Sequence, residues 1–214
     1  MSSSSPRVYA GVDAAGRLAE RRVRLLEAGL DLLGTGGLAA TTVRKVCERA
    51  QLGARYFYES FDSLDALTVA VFDEIVAQMI EAGERALAAA RPGTRSQLRA
   101  ALGSIIDLIA DDPRKGHVVL TLALGSPALA RRRLSTAQLL ADNVAHHVRR
   151  HFGPAAPADR QLSLITRFLV GGFAETLTAW MHSPGDISRG QLLDECTELF
   201  LATISAAAAL TPQL

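Results

Sequence analysis

The side chains best suited to contacting another molecule lie between residues 41 and 60. Arg55 stands beside Tyr56 and close to Tyr58, which combines a fork-shaped cation with two amphipathic rings. Arginine pairs bidentately with base edges such as that of guanine, and tyrosine hydroxyls bind phosphate oxygens. The surrounding residues 17–58 carry more basic than acidic side chains, although the net charge of the whole chain is only +1. This local excess favours a polyanionic partner.

Two short helices joined by a three-residue turn are predicted to position these side chains. A threonine pair precedes a helix over about 43–50 and supplies a capping hydroxyl, and a third helix runs over about 54–60. That length and turn are typical of a helix-turn-helix. The helical period leaves Arg55, Tyr56 and Glu59 outward. It turns the following residues inward, where they fix the angle between the two helices: Val43, Val46, Ala50, Leu52, Phe57 and Phe61.

The rest of the chain favours helices throughout. Hydrophobic residues make up 49% of it and aromatic residues only 5%, with alanine and leucine dominant, and no segment alternates like a strand. We expect an all-α protein of about nine helices, with a three-helix head and a helical-bundle body. The expected domains are a flexible arm at 1–16, the head at 17–62 and the body at 63–214. The expected helices cover about 17–36, 43–50, 54–60, 64–90, 94–110, 114–123, 128–151, 158–182 and 188–209.

The head resembles a known family. The run Leu25-Leu-Glu-Ala-Gly-Leu-Asp-Leu-Leu33, the glycine-rich turn, Thr41-Thr-Val43, Ala50, Tyr58-Glu-Ser-Phe61 and Asp65-Ala-Leu67 resemble the N-terminal region of TetR-type (tetracycline-repressor-like) regulators. The resemblance implies a cytoplasmic, homodimeric repressor that binds a palindromic double-stranded DNA operator and leaves it when a small molecule binds. It also implies the DNA-binding residues Thr41, Thr42, Arg44, Gly53, Ala54, Arg55, Tyr56, Tyr58 and Ser60.

Three residues of the head depart from the family pattern. Gln51 stands where the turn usually has glycine, which predicts a left-handed non-glycine residue at a cost of about 1 kcal/mol. Gly53 replaces the usual serine or threonine, so a capping hydroxyl is missing. Leu64 occupies the position of a common phosphate-binding lysine, which predicts one backbone contact fewer and a shallower salt dependence.

The body supplies the expected partner surface and effector site. A long amphipathic helix over 158–182 carries Gly171-Gly172 at its middle, and close approach of another helix would offset the cost of those glycines. By the resemblance, this helix and 188–209 form the dimer interface; an intramolecular core helix is the alternative. The effector pocket is expected to take an apolar or amphipathic molecule, with the candidate lining Met79, Ile105, Ile109, Leu120 and Phe168.

Two other function classes remain open. His147 and His151 are four residues apart and could share a helix face as zinc ligands, but no third ligand or catalytic motif accompanies them, so neither an enzyme nor a cofactor is expected. A helical ligand-binding or adaptor protein whose head has lost DNA binding is the second alternative, given Gln51 and Gly53. We expect Cys47 and Cys196 to be free thiols, and neither a membrane span nor a secretory signal is expected.

Overall fold

A computed structural model describes residues 9–122, 125–183 and 185–209, with side chains described from residue 15 onward. These ranges contain nine α-helices and no strand, which confirms the all-α prediction. None of the described helices is both long and apolar enough to cross a bilayer. The helices are α1 (Tyr9–Ala40), α2 (Val43–Ala50), α3 (Ala54–Ser60), α4 (Leu64–Ala89), α5 (Thr94–Asp111), α6 (Pro113–Gly116), α7 (Pro127–Phe152), α8 (Asp159–His182) and α9 (Arg189–Ala209).

The first helix is longer than the sequence predicts. It begins at Tyr9, inside the expected flexible arm, whose first eight residues lie outside the described residues. The alanines of 10–15 favour helix over an irregular arm, which accounts for the early start. At the other end the helix is kinked at Gly37, where φ is 70° and ψ is −173°. The glycine-rich turn of the sequence, formed by Gly34, Gly36 and Gly37, is therefore a kink at its last glycine.

Two compact units divide the chain, one up to Val71 and the other from Phe72 onward. The boundary between these units falls inside α4. The sequence analysis places the boundary between its expected domains earlier, at 62/63. The start of α4 belongs to the first unit because Leu67 and Val71 are buried there beside α1. A Cβ built on Gly29 of α1 would lie 3.0 Å from Val71 Cγ2, so this glycine permits the close approach.

The second unit is a bundle in which α5 packs on α9 and α7 packs on α8. Its interior is apolar, with Ile106, Leu162 and Leu192 almost completely buried. Ion pairs also join α5 to α9; in one of them Arg99 Nη1 lies 2.6 Å from Asp194 Oδ1. These pairs are largely exposed, so apolar burial supplies most of the stability.

One predicted helix, over 114–123, takes a different form. The four α-helical residues of α6 continue as a π-helical turn over His117–Thr121. Gly116 is the last residue of α6, and a side chain there would collide with Met181 of α8 and Ile109 of α5. Asp112 caps α6 by accepting a hydrogen bond from the backbone N–H of Arg114 at 3.2 Å.

Candidate nucleic-acid interface

The turn between α2 and α3 has the geometry of a capped helix end. Gln51 adopts left-handed backbone angles, φ 54° and ψ 46°, as its place in the turn predicts. Its N–H donates to the Glu48 carbonyl at 3.2 Å, and the Leu52 N–H donates to the Cys47 carbonyl at 3.0 Å. This pair of hydrogen bonds is a Schellman motif, which satisfies the last carbonyls of α2. The direction of α3 is thereby fixed by backbone bonds.

The two short helices differ in their N-terminal caps, as the sequence predicts: α2 has a side-chain capping hydrogen bond and α3 has none. Thr42 caps α2, since its Oγ1 accepts a hydrogen bond from the Lys45 N–H at 3.3 Å. Gly53 caps α3 with an extended backbone and no side-chain hydrogen bond, as expected for a residue without a hydroxyl. The helix α3 therefore depends on packing more than on capping.

Apolar packing holds α3 against the rest of the first unit. Val46, Phe57 and Phe61 are at most 5% exposed, and Ala50 is buried with them. Val43 and Leu52, also predicted to point inward, are only partly buried. They line a shallow groove of about 510 Å³ between α2 and α3, together with Arg44, Cys47, Glu48, Gln51, Ala54 and Tyr58.

Arginines of α1 supply a second set of contacts to the two short helices. Arg24 Nη2 donates to the Ala50 carbonyl at 2.5 Å, at the C-terminus of α2, where a cation is favourable. Arg22 Nη1 donates to the Ser60 carbonyl at 3.2 Å, and its guanidinium lies 4.5 Å from the centre of the Phe61 ring. Part of the basic excess of this region therefore consists of arginines that make contacts within the first unit.

The outer face of α3 presents the side chains expected to contact DNA. Arg55 is 87% exposed by side chain, and Tyr58 and Tyr56 are 59% and 39% exposed. Ala54 and Gly53 are exposed beside them at the start of α3. On α2, the Arg44 side chain is 83% exposed and Thr42 is exposed at the cap. Seven of the nine predicted residues are thus accessible on α2, α3 and their caps, and we call this set the α2–α3 face: Thr42, Arg44, Gly53, Ala54, Arg55, Tyr56 and Tyr58.

Thr41 and Ser60 do not belong to the α2–α3 face. Thr41 is 3% exposed, its hydroxyl donates to the Gly37 carbonyl at 2.8 Å, and its N–H donates to the Leu38 carbonyl at 3.1 Å. The Ser60 hydroxyl is buried without a hydrogen-bond partner in the described residues. Neither side chain is placed to reach a phosphate, because the end of α1 covers the first and the second faces the interior.

Carboxylates accompany both exposed arginines of the α2–α3 face. Glu48 Oε1 lies 3.7 Å from Arg44 Nε, and Glu59 Oε1 lies 3.0 Å from Arg55 Nε. Exposed pairs of this kind contribute little to stability, and each leaves the Nη groups of its arginine available to a phosphate or a base edge. Glu59 was predicted to point outward, but its role beside Arg55 was not predicted; the i,i+4 spacing was the available signal.

The candidate effector residues differ in their burial. Ile109 and Leu120 are buried in the second unit, while Met79 and Ile105 are partly buried. Phe168, by contrast, is 72% exposed on α8 and does not line the interior of the chain. The helical period places Phe168 on the outer side of α8, which sequence alone could not distinguish from a cavity wall.

The histidines and cysteines have ordinary structural surroundings. The Thr94 hydroxyl lies 2.5 Å from His151 Nε2, and the His147 ring packs edge-on against His146. Burial lowers the pKa of His147, with smaller contributions from His146 and Arg150. In the described part of the chain, no three His, Cys, Asp or Glu side chains are grouped to hold a metal ion. Cys47 and Cys196 are free and buried, and burial raises the pKa of both thiols.

Comparison with known sequences identifies the region that carries the α2–α3 face. Residues 25–71 match the family described as bacterial regulatory proteins, tetR family. Over 119 residues the chain is 30% identical to the HTH-type transcriptional regulator BetI of Paraburkholderia xenovorans (strain LB400), a match that covers 55% of this chain and 60% of that protein. The chain therefore aligns with less than two thirds of the length of this relative.

Comparison with solved structures extends the similarity beyond the head. A putative transcriptional regulator from Pseudomonas aeruginosa PAO1 superimposes with a TM-score of 0.74 and 19% identity, over 89% of this chain and 92% of that one. The transcriptional regulator FadR from Bacillus subtilis, in complex with stearoyl-CoA, gives a TM-score of 0.73 and 16% identity, over 85% and 98% of the chains. At these identities the likeness establishes the fold.

Replacing Gln51 with glycine is expected to stabilise the first unit. The left-handed conformation costs a non-glycine residue about 1–2 kcal/mol, and the greater freedom of glycine in the unfolded chain offsets part of the gain. We expect a net stabilisation of about 0.5–1 kcal/mol, measured as slower amide hydrogen exchange in α2 and α3. Gln51→Ala, which keeps a Cβ in the same conformation, is the control. Equal exchange in the glycine and alanine variants would contradict the assignment of strain to Gln51.

Proposed function

We propose that the chain, whose residues 25–71 match the tetR family of bacterial regulatory proteins, is a transcriptional repressor that binds a palindromic operator through the α2–α3 face. The observation that carries the proposal is the cluster of Arg55, Tyr56 and Tyr58 exposed on α3, within the region that matches the family. A short helix with such a surface fits the major groove of duplex DNA. A small molecule bound by the second unit then releases the protein from its operator.

The proposed contacts divide into two kinds. Arg55 and Tyr56, with Ala54, contact base edges, because they lie on the outer side of α3. Tyr58, Arg44 and the Thr42 hydroxyl contact phosphates, which orient the protein on the duplex but do not select a sequence. Leu64 replaces a lysine at the start of α4, so the proposed salt dependence is shallower than the family pattern implies.

The intact turn supports DNA binding over an adaptor role. The alternative of a head that no longer binds DNA rested on Gln51 and Gly53. The Schellman hydrogen bonds form despite Gln51, and the extended backbone of Gly53 starts α3 without a hydroxyl. We therefore infer a binding function for the head, and we infer that the chain is a regulator and not an enzyme.

A homodimer formed by α8 and α9 completes the proposal. Leu164, Phe168 and Leu199 are 70%, 72% and 64% exposed on these helices in the single chain. Among the described residues, nothing lies within 4 Å of a Cβ built on Gly171 or Gly172, which continue the exposed face of α8. The close approach that would offset two mid-helix glycines is thus not made by any described residue of the same chain. A second copy supplies it, and the dimer presents two reading surfaces to a two-fold operator.

The interior of the second unit favours an apolar or amphipathic effector. Its buried polar side chains among the described residues are Thr166 and Thr197. Both hydroxyls donate to carbonyls of their own helices, at 3.3 Å to Ser163 and at 2.7 Å to Leu193. A buried ligand would therefore meet mainly apolar side chains, with Met79, Ile105, Ile109 and Leu120 as the proposed contacts. Phe168 belongs with the proposed dimer surface instead.

Removal of the Arg55 side chain tests DNA binding. Arg55→Ala is expected to weaken binding to a duplex enriched by the wild-type protein from a random library, by about 1–3 kcal/mol for one lost base contact. Fluorescence anisotropy at fixed salt measures the change. Arg85→Ala is the matched control, because Arg85 is also an exposed arginine paired with a glutamate four residues away, on α4. Unchanged affinity in Arg55→Ala would count against the proposed reading surface.

A charge on the outer face of α8 tests the dimer. Phe168→Asp is expected to convert the protein from twice the chain mass to once the chain mass in light scattering, because the carboxylate would be buried without a partner. Leu134→Asp on α7 is the control, since Leu134 is 73% exposed but lies outside α8 and α9. A dimer that persists in Phe168→Asp and dissociates in Leu134→Asp would place the interface elsewhere.

Ligand titration tests the effector proposal. Apolar and amphipathic compounds, with stearoyl-CoA as one probe, are added to the complex of the wild-type protein with its enriched duplex. We expect at least one compound to weaken DNA binding by about 5–150-fold, the usual range of allosteric coupling. Ile105→Trp, which enlarges a partly buried proposed contact, is expected to abolish this response while DNA binding persists, and Leu134→Trp is the control. An identical response in Ile105→Trp would exclude the proposed location.

A further inference from the structure

One arginine of α1 contacts two residues of α3 at once. The guanidinium carbon of Arg21 lies 4.6 Å from the centre of the Tyr56 ring, within the range of a cation–π interaction. Arg21 Nη2 also lies 3.5 Å from Glu59 Oε2. The Arg21 side chain is only 24% exposed, so it is largely covered. Arg21 therefore contacts Tyr56, a proposed DNA-contacting residue, and the carboxylate of Glu59 on the next turn of the same helix.

Glu59 connects Arg21 to the second reading side chain. Its other oxygen, Oε1, accepts a hydrogen bond from Arg55 Nε at 3.0 Å. One carboxylate thus joins the largely covered Arg21 to the strongly exposed Arg55. Because the carboxylate uses Nε of Arg55, both Nη groups are left to pair end-on with O6 and N7 of a guanine.

We propose that Arg21 and Glu59 are positioning residues that hold Tyr56 and Arg55 in their DNA-reading orientations, and that Arg21 does not itself bind DNA. This inference rests on the proposed function of the α2–α3 face. An exposed arginine loses much side-chain freedom when it binds, and a side chain already held in place loses less.

This role differs from that of an ordinary phosphate-binding arginine in what it does to binding. A phosphate contact strengthens binding to every duplex and steepens the salt dependence. A positioning contact raises the affinity for the preferred sequence relative to other sequences and leaves the salt dependence of binding unchanged. The quantity that separates the two is the specificity ratio, defined as the affinity for the enriched duplex divided by the affinity for a shuffled duplex of the same composition.

The test compares Arg21→Met with Arg49→Met in the full chain. Arg49 also joins a short helix to α1, since its Nη2 lies 2.8 Å from Asp31 Oδ2, but it belongs to α2 and its ion pair does not involve α3. Arg21→Met is expected to lower the specificity ratio roughly tenfold, with an unchanged slope of log affinity against log salt. Arg49→Met is expected to leave the ratio unchanged. An unchanged ratio in Arg21→Met, or a slope reduced by about 0.9, would overturn the inference.

Glu59→Gln supplies a second variant whose signature unfolding cannot imitate. Removal of the carboxylate is expected to raise affinity for the shuffled duplex, because repulsion from phosphates is lost, and to lower the specificity ratio, because Arg55 is held less firmly. A ratio equal to or above that of the wild type would contradict the positioning role. If the wild-type protein itself shows no preference for any duplex, the proposed function fails and not only this inference.

Discussion

The fixed angle between α2 and α3 is the constraint on which the reading surface depends. It is set by the left-handed residue Gln51, whose conformation allows the Schellman hydrogen bonds to close α2 before the chain turns. Phe57, which is fully buried, then packs the inner side of α3 against the rest of the first unit. With its backbone fixed at one end and its apolar side packed, α3 has only its outer side free. Arg55 and Tyr58 occupy that side because no other side remains.

The basic residues of the first unit serve two separate purposes. Arg24 donates to the last carbonyl of α2, and Arg22 donates to the last carbonyl of α3, so both stabilise helix ends. Arg44 and Arg55 remain strongly exposed, each beside a glutamate of its own helix. The net basic charge of the segment therefore overstates the charge presented to a polyanion. Internal arginines support the geometry, and the exposed ones are left available to the proposed DNA partner.

The second unit separates its interior from an uncovered apolar surface. Leu162 and Leu177 on one side of α8 are buried, while Leu164 and Phe168 on the other side are exposed. An exposed apolar stripe of this kind on a long helix is costly in water and favours association. The interior, by contrast, offers a ligand mainly apolar contacts. One helix thus carries residues suited to both proposed roles of this unit.

The sequence by itself determined the helices, the turn and the identity of the outward residues of α3. These follow from local rules: helical periodicity, capping threonines, glycine breaks and the three-residue turn. Gln51 and Gly53 could be assigned their unusual roles for the same reason, since each depends on one backbone position. Within the arm expected at 1–16, residues 9–16 are instead helical, because the alanines of 10–15 favour helix.

Only the tertiary structure decided which side chains are covered and by what. Thr41 is removed from the α2–α3 face by the end of α1, and Phe168 lies outside the bundle and not within it. The contacts of Arg21 with Tyr56 and Glu59 join residues far apart in the sequence. Periodicity specifies the side of a helix on which a residue lies, but its exposure and partners depend on which distant element packs against that side.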